Sequence, residues 1–373
     1  MKKIDSKQHK ETLEEEVKRL RKENKKLSLK NDKQKYAMVL DESIAINGQK
    51  LLLALSIPSN HQGRAVRHED VSVLEMSVDK QFNGEDIKNK IESASQIAGE
   101  KPQFVISDNA HNLVRGITDS GYSRHADISH SLGGIFKHVY GKQLDFMELT
   151  KKLGQIRLLY HLTENAYLLP PNMRTIAQFM NMSSWVTWGN LLLACLDELS
   201  EEKQQAFSFL KQYEPLLHEL QTCLDVARHV EGICKNKGFS IATSKGCKAY
   251  IVRHIVGNAC PRQAKVGLKM IEYFEKEESL LTESMNINIS SDIIESTFGI
   301  YKSKKSPNKL YGVTPFALMI PLYPKIANKV VTKAFNFKER IMNVKLKDID
   351  AWATEHLSKN WVTERTKTLR RVS

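Results

Sequence analysis

Between residues 36 and 130 short apolar runs alternate with turn signals and two helical patterns, and that order leaves few folds open. YAMVLDESIAI begins at Tyr36 and reads as a strand that carries Asp41. QKLLLALSIP follows after Asn47-Gly48, a dipeptide that suits the tight turn of a hairpin. VSVLEMSV, Val71 to Val78, alternates apolar and polar residues as a third strand. GEDIKNKIESASQIAG has helical spacing and stops on Gly99, a residue suited to a helix end. QFVISD then reads as strand four and HNLVRGITDSG as a short helix. SRHADISH reads as strand five, ending around Asp127. The expected fold class is α/β, with three hairpin-linked strands followed by helix, strand, helix and strand.

From about Leu132 to Glu283 the pattern is almost wholly helical, broken at Pro170-Pro171 and Pro261. A further helix starts at Ser290 to Asp292 and carries IIESTFGIYKSKK; the Ser/Asp cluster suits a helix start. The last stretch, IDAWATEHLSKNWVTERTKTLRRVS, reads as one helix with a basic tail. At the other end, Leu13, Leu20 and Leu27 recur every seven residues, with Val17, Asn24 and Asn31 at the alternate position. This is a short coiled-coil-like pattern, and a buried Asn there selects a two-stranded pair. It reads equally as a solvated single helix. The expected segments are 1–34 (charged helix), 35–135 (first part of the core), 136–285 (helical insertion), 286–335 (second part of the core) and 336–373 (C-terminal helix and tail).

The chain has 373 residues with 56 Lys or Arg against 43 acids, a formal charge of +13. That excess favours a polyanionic partner, nucleic acid above all. The five cysteines, Cys195, Cys223, Cys234, Cys247 and Cys260, show no zinc-type spacing and read as reduced core thiols. No apolar run reaches membrane-spanning length and no signal peptide is visible, so a cytoplasmic protein is expected, without a membrane partner.

Three acids stand out. Asp41 lies on strand one, Asp108 at the end of strand four, and Glu295 on the downstream helix. In a sheet ordered 3-2-1-4-5, strands one and four are neighbours, so the two aspartates approach each other, and a helix packed on the sheet brings Glu295 beside them. Such a cluster repels itself unless cations sit in it. Carboxylate oxygens suit two Mg²⁺ ions, with Mn²⁺ able to substitute. Two ions activate an attacking oxygen and stabilise a leaving one at a phosphodiester. Each acid also has a plain structural role open to it: a strand-end turn for Asp41, a helix cap for Asp108, an exposed helical position for Glu295. Asp292 and Glu283 are alternatives for the third ligand.

The strand order, the three acids and the long helical insert together resemble a DDE transposase of a bacterial insertion sequence. The pieces are MVLDESIAINGQKLLLALSIP, FVISDNAHNLVRGI and DIIESTFGIYKSKK, over roughly residues 36 to 325. The resemblance implies an RNase H-like core with Asp41, Asp108 and Glu295 as catalytic metal ligands. It also implies DNA cleavage and strand transfer on double-stranded DNA, at element ends and target, by a homodimer or larger assembly that is nucleoid-associated when bound.

DISHSLGGIFKHVYG resembles an element that some transposase superfamilies place after their second Asp. Asp127 stands where a Cys would be, and His130 is in register, so both are candidate supporting residues. Lys302 falls seven residues after Glu295, a spacing the resemblance links to the phosphate backbone near the element's end, although the Tyr and Arg that precede the Glu in one large group are replaced by Asn288 and Ser291. Lys304, Lys305 and Lys309, with Tyr301 and Tyr311 interleaved, suit backbone contact plus base stacking. A second basic run contributes Lys245, Lys248 and Arg253. Trp185 and Trp188 are candidates for stacking on a base, or ordinary core. The chain begins without a recognisable DNA-reading domain. A non-enzymatic, zipper-dimerised DNA-binding protein (a truncated or domesticated transposase) and an RNase H-like nuclease without strand transfer remain alternatives.

Overall fold

The computed structural model describes residues 35–44, 49–171, 182–304, 312–334, 336–342, 344–358 and 361–371. The heptad pattern, the Asn47-Gly48 turn, and Lys305, Lys309 and Tyr311 lie outside the described residues. The chain divides into two compact units, one of residues 1–125 and 290–373, the other of residues 126–289.

The first unit begins with β1 (Tyr36–Ile44), β2 (Lys50–Pro58), β3 (Ser72–Asp79), α1 (Gly84–Ala98), β4 (Val105–Ser107), α2 (His111–Asp119) and β5 (Arg124–Ala126). The five strands form one mixed sheet in the order β3-β2-β1-β4-β5, as expected from the sequence. β1 pairs antiparallel with β2, from Tyr36 opposite Pro58 to Ile44 opposite Lys50. β1 pairs parallel with β4, with Met38 opposite Val105 and Val39 opposite Ile106.

Alternation decides what each face of the sheet meets. Met38, Leu40, Leu52, Ala54 and Val105 join Ile87 and Ile91 of α1 and Leu113 and Ile117 of α2 in one buried cluster. α1 starts where it does because Asn83 and Asp86 form a reciprocal capping box. Asp86 N–H donates to Asn83 Oδ1 at 3.0 Å, and Asn83 N–H to Asp86 Oδ2 at 2.9 Å. It stops at Gly99, whose φ of 80° lets its N–H turn back to Ser95 O at 3.0 Å. The two helices touch across Gly116, where a Cβ would come within 2.5 Å of Ile87.

The second unit is helical: α3 (Ile128–Tyr140), α4 (Leu144–Tyr160), α5 (Met182–Cys195), α6 (Glu201–Phe207), α7 (Glu214–Lys237), α8 (Ile241–Ile251) and α9 (Pro261–Glu278). α7 runs through it and buries Leu216, Leu217, Leu220, Leu224, Ala227 and Val230, a helical stripe. Arg262 joins three other helices. It bonds Asp145 Oδ2 and Glu219 Oε2, each at 2.7 Å, and Tyr140 donates to Glu219 Oε1 at 2.7 Å. Burial and its neighbours raise the Tyr140 phenol and push the Cys223 thiol up to about 12. The five cysteines are free thiols, three of them buried. This unit starts at Ala126 rather than the expected residue 136, because the first residues of α3 belong with it: Ile128 N–H donates to Ile289 O at 3.0 Å, and Tyr273 Oη to Ala126 O at 2.9 Å.

The chain returns to the first unit with α10 (Asp292–Lys304). The terminal stretch is two helices, Leu346–His356 and Trp361–Arg370, rather than the one expected. Leu357 is extended, with φ −101° and ψ 145°, and ends the first of them. No helix among the described residues is long and apolar enough to cross a membrane.

Candidate active site

The parallel register of β1 and β4 brings two of the three expected acids together. Val39 lies opposite Ile106, and two residues further along each strand stand Asp41 and Asp108. Asp41 lies within β1, and Asp108 directly follows the last residue of its parallel neighbour β4. Both are half-buried. Asp41 shares the parity of Val39, so it faces away from the α1–α2 cluster. α10 packs against β1, and none of its buried residues belongs to that cluster, so it covers the face that carries Asp41. Its own buried side is Ile293, Ile294, Thr297, Phe298 and Tyr301, which leaves Glu295 exposed. Among the described residues no group of three or more His, Cys, Asp or Glu that could hold a metal ion is found.

Each aspartate is held by local backbone. Glu42 N–H donates to Asp41 Oδ1 at 2.7 Å. Ala110 N–H donates to Asp108 Oδ1 at 2.9 Å, which fixes the turn into α2. Glu42 points to the other face and is engaged there. It pairs with Lys50 Nζ at 2.5 Å and accepts from Asn112 Nδ2 at 2.6 Å, with its side chain 8% exposed. It ties β1 to β2 and α2, and the adjacent acids Asp41 and Glu42 thus have separate jobs.

Two residues around this pair carry no legible signal in the sequence. Arg124 on β5 grips the turn that carries Asp108. Its Nε donates to Ser107 Oγ at 2.9 Å, and one terminal nitrogen to Asp108 O at 2.5 Å and Asn109 Oδ1 at 2.7 Å. A guanidinium's fixed fork makes that a geometric clamp. His68, between β2 and β3, comes within 3.2 Å of Ser296 Oγ, next to Glu295 on α10. Burial lowers its imidazole pKa and favours the neutral ring.

The remaining expected residues divide. Asp127 and His130 sit at the start of α3, in the second unit. Asp127 is fully buried and caps that helix, accepting from His130 N–H at 2.7 Å, with His130 Nδ1 3.4 Å away. The D-x-x-H spacing is what a capping turn requires. Glu283 belongs to the second unit, while Asp292 is exposed in the first turn of α10. Lys302 lies over the Phe298 ring at 5.8 Å and Lys304 over Tyr323 at 5.9 Å. Tyr301 is buried and stacks on Phe316, because it belongs to the inner side of α10, so it offers no ring to a ligand. Trp185 is core, packed on Phe146, and Trp188 donates to Leu168 O at 2.9 Å. Lys245 and Arg253 are exposed. Lys248 is paired with Glu278 at 2.8 Å, and that pairing, with Ser244, holds the Glu278 carboxyl below its usual range.

Carboxylate oxygens from Asp41 and Asp108 fit a hard divalent cation. No protein-family model matches the chain, and no curated protein matches it.

Proposed function

We propose that the chain is a DDE transposase of the bacterial insertion-sequence kind, with an RNase H-like core, which cuts DNA at element ends and joins the freed ends to target DNA. The observation that carries this reading is the parallel pairing of β1 and β4, with Asp41 on β1, Asp108 directly after β4, and α10 packed against β1. Asp41 and Asp108 would hold divalent cations, with Glu295 as the third carboxylate. Bound Mg²⁺ or Mn²⁺ supplies a nucleophilic oxygen at neutral pH and charge relief at the leaving oxygen. The chain's own residues bind and orient: Arg124 fixes the Asp108 turn, His68 braces α10 beside Glu295, and Lys302, two turns further along α10, meets the phosphate backbone.

The test is nicking of element-end DNA by the full chain. Cleavage that needs Mg²⁺ or Mn²⁺ and is lost in Asp108→Asn is the expected result, together with joined product from a pre-cut 3′-hydroxyl end. Metal-independent cleavage, or full activity in Asp108→Asn, would reject the reading. Cleavage without joining leaves a nuclease of the same core. One observation favours a second reading, a non-enzymatic DNA-binding protein: Glu295 is exposed and outside any three-ligand group. That reading predicts DNA binding with no nicking under any metal.

A further inference from the structure

The helical unit carries an aromatic ladder on its surface. The His229 ring of α7 stacks on Tyr250 of α8 with centroids 3.9 Å apart and planes 22° from parallel. Tyr250 stacks in turn on His254, at 4.1 Å and 36°. Both histidines are exposed and Tyr250 is half-buried. His254 lies in a π-helical turn, Val252–Val256, that continues α8. Such turns cost helix stability and are frequent at functional sites. Buried rings would need no such surface, and an apolar docking patch would not be built from two imidazoles.

Near His229 the acids Asp225 and Glu231 are paired, with Arg228 and Lys235, and beyond Glu231 the charge along the chain is one-sided. The forty residues between Glu231 and Glu272 contain no Asp or Glu and eight Lys or Arg. Lys248 is neutralised from outside that stretch by Glu278. Lys245 and Arg253 are exposed and form no ion pair among the described residues. Arg253 is the residue next to His254, and Lys245 lies five before Tyr250 on the same helix. Stacked rings with unneutralised cations beside them match a polyanion whose units also carry flat aromatic faces.

We infer that the outer rings His229 and His254, with Tyr250 stacked between them and with Lys245 and Arg253, form a binding surface for single-stranded nucleic acid, on whose open imidazole faces unpaired bases stack while phosphates meet the cations. Duplex DNA fits less well, since its bases are already stacked on each other. An acidic polypeptide would satisfy the cations and leave the rings unused. The inference rests on the nucleic-acid part of the proposed function and is independent of the carboxylate chemistry.

The test is fluorescence anisotropy with the full chain in EDTA, using a labelled oligothymidylate, an abasic oligomer of equal length, and polyglutamate as competitor. His254→Ala is expected to weaken oligothymidylate binding about tenfold and abasic binding hardly at all, with His254→Phe, which keeps a flat ring, close to wild type. Paired Lys245→Gln and Arg253→Gln changes are expected to weaken both and to flatten the salt dependence. Photocrosslinking of a 4-thiothymidine oligomer to His229 or His254 in the unaltered chain gives the same answer without a variant. Abasic oligomer or polyglutamate binding as tightly as oligothymidylate, or crosslinks that avoid the ladder, would overturn the inference. Asp108→Asn in the same titration keeps the two proposals apart: binding is expected to persist there even if nicking is never seen.

Discussion

Replacing Arg124 by Gln removes the fork that grips Ser107, Asp108 and Asn109. A reacting group displaced by an ångström costs about a hundredfold in rate. Arg124→Gln is therefore expected to lower the nicking rate about a hundredfold with DNA affinity unchanged, while Arg124→Lys, which keeps the charge and loses the fork, recovers little. A parallel loss of DNA binding and rate would instead mark a folding defect. Glu278 gives a pH signature. Its carboxyl is held below the usual range by Lys248, then Ser244, so its contribution is present above the unfolded carboxylate pKa of about 4.3 and is lost as pH falls through the lower folded value. Melting curves of Glu278→Gln and wild type are expected to differ at pH 6 and to converge below about pH 4. The aspartates were legible because each ends an apolar run. Arg124 was not, since an Arg on a three-residue edge strand looks like any solvated cation. Trp185 shows the opposite case, a large ring whose burial only the packed helices reveal.

Asp127 caps α3 through the backbone N–H three residues on. Asp127→Ala removes the acceptor for His130 N–H at the buried start of α3 and is expected to cost about 2 kcal/mol of stability. Asp127→Ser, which caps the same N–H, is expected to restore most of it, as read by chemical denaturation. The sheet elements were legible from period-two alternation and the helices from their stripes, so β1 to β5 and α10 fall close to their expected places. The terminal helix was misjudged because the break at Leu357 carries no Gly or Pro, the residues that mark such a stop in a sequence. Strand five and α3 meet at Asp127 without a linker, and the bonds from Ile128 to Ile289 and from Tyr273 to Ala126 tie the start of α3 to its unit.

The chain as a whole joins a mixed sheet, whose parallel strand ends present two carboxylates, to a chain-wide excess of positive charge. In the proposed reading the two would serve different parts of one polyanionic substrate: cations on the protein would hold phosphates, and the acids would hold the metal ions that act on one of them. The central claim is that Asp41 and Asp108 act together as ligands. Electron paramagnetic resonance of Mn²⁺ titrated into the full chain with duplex DNA tests it most directly. Asp41→Asn and Asp108→Asn are each predicted to weaken Mn²⁺ binding about tenfold or more, and Glu42→Gln, on the other sheet face, to leave it unchanged. Wild-type Mn²⁺ affinity in either aspartate variant would contradict the account.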